Sequence, residues 1–360
     1  HAPTQVQQLV QTVAATAAGV PPESVFVHTT YLGGGFGRRL EGDFVPAAVE
    51  AMKAVGRPVK LVWTREDDTT HDLYRPAAVQ RCAAGWGADG KLAAWRFEIC
   101  APSPLARWAP GAIEQFGGVD PFSVEAAANY PYAVPNVRVT YLQHELGLDV
   151  GFVRSVSHAT NCFAVESFMD ELASAARQDP VEFRRSLLGP AQTRFLNVLD
   201  RAAERAGWRT GPASRAGGAQ GVALMEGYGT YLAMVANVAV DDGRMRVTKI
   251  TCVVDCGQMV NPSIVESQVQ SSIVFGLTSA LWGDITIEGG RVQQQNFDTY
   301  RLLRLNEMPE LDIELVVSAE APGGIGEPAT ALVAPAVANA VFAATGQRIR
   351  SLPFAKHGLA

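Results

Sequence analysis

Apolar residues at Val6, Leu9, Val10 and Val13 recur every three or four positions and predict an amphipathic helix over residues 5–18. Gly19 supplies its stop, and Pro21-Pro22 prevents its continuation. Val25–Tyr31 then reads as a strand running into the glycine-dense loop Gly33-Gly34-Gly35-Phe36-Gly37. A second helical pattern covers 44–55 and ends at Gly56, before a strand over Pro58–Trp63. Strand patterns recur at 76–86, 91–100 and 137–143, separated by turns bearing Gly and Pro. From 162 to 207 the period is helical, with Phe163, Val165, Phe168, Met169 and Leu172 on one stripe. Asp179-Pro180 punctuates that run as an N-cap followed by proline at the first helical position. Strands alternate through 222–255 around the turn Asp241-Asp242-Gly243, a helix covers 264–281, and strands continue to about 318. The last helix has Pro335 near its start and Gly346 as its stop.

This order predicts an α+β protein with mixed sheets and packed helices. The stretch GPASRAGGAQG is the best linker candidate, which divides the chain into residues 1–210, a linker at 211–218, and residues 219–360. No internal repeat and no low-complexity tract is present.

With 360 residues, 48% of them hydrophobic and 18% charged, the chain is in the globular range and long enough for two or three domains. The formal net charge is −6 with the basic residues scattered, which argues against a nucleic-acid surface. No apolar run approaches the roughly 20 residues of a membrane span. The five cysteines form no CxxC pair, so structural zinc, an iron–sulfur cluster and a disulfide framework are all disfavoured. Cys252 and Cys256 read as packing residues of a buried strand. The six histidines show no metal-ligand spacing, and His158 reads as a lone, hydrogen-bonded loop histidine. No GxSxG marks a nucleophile.

Two glycine loops carry the candidate chemistry. The first, GGGFGRR, follows a strand and precedes a helix, a setting in which exposed backbone N–H groups can cradle a ligand. Its spacing fails the dinucleotide fingerprint at Arg38, which weakens a nicotinamide-dependent dehydrogenase, and it lacks the ending of a phosphate-binding P-loop. In the second, GGIGEP, Pro328 biases Glu327 towards an extended backbone and Gly326 permits close approach. Glu327 is therefore either a general base in a cleft or an ordinary loop carboxylate.

Six segments, taken in order, resemble one family: GGGFGRRLEGD (33–43), GRPVKLVWTREDD (56–68), GFVRS (151–155), VDCGQMVNP (254–262), SQVQSSIVFGL (267–277) and the stretch 323–346 that begins GGIGEPAT. They are similar to the molybdenum-binding subunit of the xanthine oxidase and aldehyde oxidase family, in the branch of the isoquinoline 1-oxidoreductase beta subunit and membrane-associated aldehyde dehydrogenases. The resemblance implies a molybdopterin cofactor, as the cytosine dinucleotide, with an oxo/sulfido molybdenum centre and no direct protein ligand to the metal. It implies a hydroxylase acting on an electrophilic C–H carbon of an N-heteroaromatic compound or an aldehyde, with oxygen supplied by water. Glu327 matches the glutamate that acts as base. Gln5 matches a glutamine that hydrogen-bonds beside the metal's oxygen ligand. Gly34, Gly35, Phe36 and Gly37 form the loop whose backbone approaches the metal centre, Arg154 matches an arginine beside it, and Gln268 the glutamine of a pterin-binding helix. Gly326 shapes the turn before the base.

Three departures from the family refine the expectation. Leu40 stands where purine hydroxylases place a substrate-binding glutamate, with Glu41 adjacent but expected to point elsewhere. Val156 stands where they place an aromatic residue, so purines are disfavoured. The EMGQG-type motif for the cofactor phosphates is absent. Together with His1 as first residue, this predicts that the chain is the C-terminal part of a longer subunit, completed by a separate chain or another segment. Electrons from molybdenum would leave through a small [2Fe-2S] subunit, followed by a cytochrome c. A bacterial origin is expected, with the periplasm and cytoplasm both open because an export signal would precede His1. The rival expectation is a catalytically silent scaffold of the same complex.

Overall fold

The strand over residues 92–101 approaches alternation of buried and less buried positions, whereas those over 219–255 carry near-continuous buried runs, the pattern of a sheet covered on both faces. In the computed structural model, which describes residues 1–209 and 218–360, three strands form a first sheet: β1 (Val79–Trp86), β2 (Leu92–Ala101) and β3 (Asn136–Gln143). β1 pairs antiparallel and β3 parallel to the central β2. The second sheet has the order β4 (Ala219–Gly227), β5 (Thr230–Asp241), β6 (Arg244–Asp255) and β9 (Glu310–Leu315). Its first three strands are consecutive antiparallel neighbours, and β9 returns parallel to β6. A short hairpin joins β7 (Ile287–Glu288) to β8 (Arg291–Val292).

The helices are α1 (Gln7–Ala18), α2 (Phe44–Val55), α3 (Arg65–Thr70), α4 (Pro104–Trp108), α5 (His158–Ala175), α6 (Pro180–Leu187), α7 (Thr193–Arg205), α8 (Pro262–Trp282) and α9 (Pro328–Thr345). Their ends follow the sequence signals. Gly19 and Gly56 close α1 and α2 in left-handed conformation. The Asp179 carboxylate caps α6 by accepting from the Val181 and Glu182 amides at 2.7 and 3.0 Å.

α9 is the centre of the molecule. Its 18 residues are apolar enough to span a membrane by length and composition, against the expectation from run length. Here it is a core helix packed between the second sheet, α5 and α8, with Ala331, Leu332, Val333, Ala336, Val337, Ala340 and Val341 fully buried. Pro335 sits inside it rather than near its start, because the helix begins at Pro328. Two hydrophobic cores flank the second sheet. One joins α8 and α9 to Cys162 and Phe163, the other joins β2, α5 and α7 to Val222, Leu224 and Val253. Each core draws side chains from both sides of the predicted linker, whose residues 211–217 lie outside the described residues. At roughly 1.5–3 kcal/mol per fully buried large side chain, these cores dominate the stability. Cys252 and Cys256 both pack in the first of them.

Two expected strands do not enter a sheet. Val25–Tyr31 makes one isolated bridge, between Ala2 and Thr29, and leaves Phe26 and Tyr31 exposed. Pro58–Trp63 forms no ladder among the described residues, and Val62 is exposed. The apolar pattern encodes an extended backbone in both places. A strand, however, exists only where a neighbour answers its N–H and C=O groups.

Candidate active site

The turn that precedes α9 carries the candidate base. Glu327 is the N-cap residue of α9, and Pro328 opens the helix where its missing N–H costs nothing. Oε2 of Glu327 accepts a 2.6 Å hydrogen bond from the Ser155 amide, and the Ser155 hydroxyl donates to the Glu327 carbonyl at 2.6 Å. Oε1 accepts nothing among the described residues, so one oxygen is anchored while the other stays available.

Arg154 links this turn to two other elements. Its guanidinium donates to the Gly326 carbonyl through Nε at 2.8 Å and again through Nη2. It also donates to Ser271 Oγ at 2.8 Å and to Gln268 Oε1 at 3.0 Å, one helical turn apart on α8. The Arg154 amide donates to the Phe36 carbonyl at 2.9 Å. Its cation lies 5.5 Å from the Phe36 ring centroid and 5.8 Å from that of Phe275, and the two rings stack at 5.6 Å. Burial lowers the Arg154 pKa, and Glu327 opposes that shift. At 4% exposure a guanidinium persists only because every face has a partner.

The glycine loop has the form a cradle requires. Phe36 holds a left-handed backbone at φ 54°, as do Ser155 at 73° and Val156 at 41°. Such non-glycine conformations cost of order 1–3 kcal/mol each and concentrate where a site over-determines them. A Cβ on Gly35 would collide with the Gln5 side chain, and one on Gly37 with the Phe152 carbonyl. Gln5 Oε1 accepts from the Gly37 amide at 3.2 Å, which commits the oxygen end and leaves Nε2 as an open donor. The amides of Gly34, Gly35 and Phe36 have no acceptor among the described residues. Open donors at Gln5, Gly34, Gly35 and Phe36 suit an oxygen-rich, anionic group.

The structure thus brings Gln5, Phe36, Gly37, Arg154, Gln268, Gly326 and Glu327 into one hydrogen-bonded network, with Gly34 and Gly35 beside it. Among the described residues, no group of three or more His, Cys, Asp or Glu could hold a metal ion. Sequence reading passed over Ser155, Ser271, Phe275 and Arg75. The first three lie inside GFVRS and SQVQSSIVFGL and could have been found there. Arg75 lay in no motif. Elsewhere, Glu41 is buried against the Arg107 guanidinium. His158 begins α5 rather than a loop, buried with Nδ1 3.1 Å from Glu125 Oε2.

Comparison with known proteins decides the family. The molybdopterin cofactor-binding domain is matched over residues 1–188, and a second molybdopterin cofactor-binding domain over 155–309. The chain belongs to the molybdopterin-binding subunits of the xanthine oxidase family. A relative from Gluconacetobacter polyoxogenes, named membrane-bound aldehyde dehydrogenase [pyrroloquinoline-quinone], is 36% identical over 98% of this chain and 49% of its own. The isoquinoline 1-oxidoreductase subunit beta of Brevundimonas diminuta is 33% identical over 97% of this chain and 45% of its own. This family member therefore spans about half the length of those relatives. Quinoline 2-oxidoreductase from Pseudomonas putida 86 shares the fold at a TM-score of 0.81 and 15% identity, over 98% of this chain and 70% of that one. Aldehyde oxidoreductase from Desulfovibrio gigas shares it at 0.76 and 16%, over 98% and 56%. The α+β expectation and the family resemblance are both borne out.

Proposed function

We propose that this chain is the catalytic-turn portion of a molybdenum hydroxylase, with residues 1–210 and 219–360 as two molybdopterin-binding parts. The observation that carries the reading is the half-anchored carboxylate: Ser155 holds Oε2 of Glu327 while Oε1 has no partner among the described residues. A base needs this combination of fixed aim and open lone pair. When bound, the cofactor supplies a two-electron oxidation through its oxo/sulfido molybdenum centre, with water as the source of oxygen.

The chain's own residues do the rest. Gln5 Nε2 and the amides of Gly34, Gly35 and Phe36 would hold the cofactor's oxygen-rich end, and the stack of Phe36 on Phe275 keeps their loop against α8. Gln268 and Arg154 couple that loop to α8, and Gly326 gives Arg154 a carbonyl to hold. Glu327 Oε1 accepts the proton released as the new C–O bond forms, and returns it to solvent after turnover.

The substrate class is an N-heteroaromatic compound or an aldehyde, since both offer an electrophilic C–H carbon. Leu40, Val156 and the engagement of Glu41 with Arg107 remove the features that would grip a purine. We further propose the cytosine dinucleotide form of the pterin, a remaining N-terminal part of the subunit carried on a separate chain or a further segment, a [2Fe-2S] partner that takes the electrons, and a cytochrome c beyond it. The test is a screen of aldehydes and N-heterocycles with the complex purified with its partner chains, using an artificial electron acceptor. Turnover of either class that is lost in Glu327→Gln supports the reading; NAD-dependent turnover indifferent to that substitution refutes it.

A further inference from the structure

Arg75 is a half-buried cation with no carboxylate within salt-bridge distance among the described residues. Its neighbour Tyr74 pairs with Val150 in an isolated parallel bridge, secured by Tyr74 N–H to the Asp149 carbonyl at 3.1 Å and Gly151 N–H to the Tyr74 carbonyl at 3.0 Å. That bridge lays Arg75 alongside residues 153–156. There its guanidinium spends its donors on backbone carbonyls: Nη2 on Arg154 at 2.7 Å, Nη1 on Val156 at 2.8 Å and on Val153 at 3.5 Å. Burial without a paired carboxylate pulls its pKa down to about 10, with Tyr228, Tyr300 and Glu327 opposing that shift only in part. A charge kept in so unfavourable a place needs a structural return.

The three carbonyls bracket the two left-handed residues Ser155 and Val156. Ser155 is fully buried and points its N–H at Glu327 Oε2. A planar guanidinium can hold several carbonyls in fixed mutual geometry, which a single ammonium cannot. We infer that Arg75 is a positioning residue that locks the 153–156 turn so that Ser155 holds the Glu327 carboxylate in place. The inference rests on the reading of Glu327 as the proton acceptor.

The test uses the complex purified with its partner chains and compares Arg75→Lys with the wild type, alone and on a Glu327→Gln background. Lysine keeps the charge and most of the volume, so the fold survives; Arg75→Met is the harsher companion. Amide hydrogen exchange over residues 150–158 should quicken in Arg75→Lys while molybdenum content stays unchanged. Turnover at saturating substrate should fall about 10- to 100-fold, the scale of a misplaced catalytic group, with KM little changed. On the Glu327→Gln background the Lys substitution should cost almost nothing more, because both act through one carboxylate. Unchanged exchange in this segment, or a turnover loss that adds in full to that of Glu327→Gln, overturns the inference. Quickened exchange with a Glu327→Gln enzyme of normal activity supports Arg75's hold on the turn and sinks the reading of Glu327 instead.

Discussion

Ser155 and Glu327 lie 172 residues apart in sequence, yet the Ser155 amide donates to the Glu327 carboxylate at 2.6 Å and its hydroxyl to the Glu327 carbonyl at the same distance. This double contact joins the two predicted halves at their chemistry. Removing the charge while keeping the shape tests what it is for. Glu327→Gln should retain molybdenum and the fold, and should lose about 100- to 10,000-fold in turnover, the usual range for a positioned proton acceptor. Steady-state kinetics with metal analysis checks this, and near-normal turnover would remove Glu327 from the reaction.

The glycines of the first loop differ in what a methyl group would meet. Gly35→Ala places its Cβ on the Gln5 side chain without demanding a left-handed backbone. It should displace the Gln5 amide and reduce pterin and molybdenum content, at a stability cost near 1 kcal/mol. Gly37 has φ +88° and the Phe152 carbonyl against it. Gly37→Ala should therefore cost roughly 1–3 kcal/mol and lower the thermal midpoint as well as the cofactor content. Equal effects of the two substitutions on folding would contradict this account of the loop.

How much of this site could be read in advance differs from residue to residue. The stop at Gly19, the cap at Asp179 and the turn at Asp241-Asp242-Gly243 are local chemistry, and all three formed as their residues dictate. The glycine loop and GGIGEP were visible because their glycines stand in a recognisable order, although in GGIGEP close approach falls at Gly323 and Gly324, while a Cβ on Gly326 would meet open space. Arg75 was not, since its role depends on a bridge between Tyr74 and Val150 that no local pattern encodes. Val25–Tyr31 and Pro58–Trp63 fail for the complementary reason: strand propensity is local, whereas a strand's partners are not.

A buried ion pair ties α5 to α6. Arg184 and Glu166 are almost fully inaccessible and bond at 2.9 Å, while Tyr132 and the Leu224 amide donate to the same carboxylate at 2.7 and 3.0 Å. Arg184→Met leaves that carboxylate short of one partner in a dry core and should destabilise by about 3–5 kcal/mol. Denaturant unfolding measures it; a loss below 1 kcal/mol would show that the other donors suffice.

The stability should also fall in acid through Asp255. Burial alone would raise its pKa, but hydrogen bonds from Arg194, at 2.7 and 2.8 Å, and from the Gly257 amide leave it below the ordinary value. A folded-state pKa below the unfolded one stabilises fully above the unfolded value, and the contribution disappears as pH falls through the lower, folded one. Stability should therefore decline below about pH 4, and Asp255→Asn should flatten that decline. An unchanged acid limb in the variant would assign it to other carboxylates.

In its complete complex this chain should help to hold a molybdenum cofactor beside Glu327. Mass-spectrometric metal analysis of the complex purified with its natural partner chains tests it directly. About one molybdenum per copy of this chain is expected, the stoichiometry of a single resident cofactor. A folded, complete complex without molybdenum would contradict it and leave the Glu327 turn as part of a scaffold.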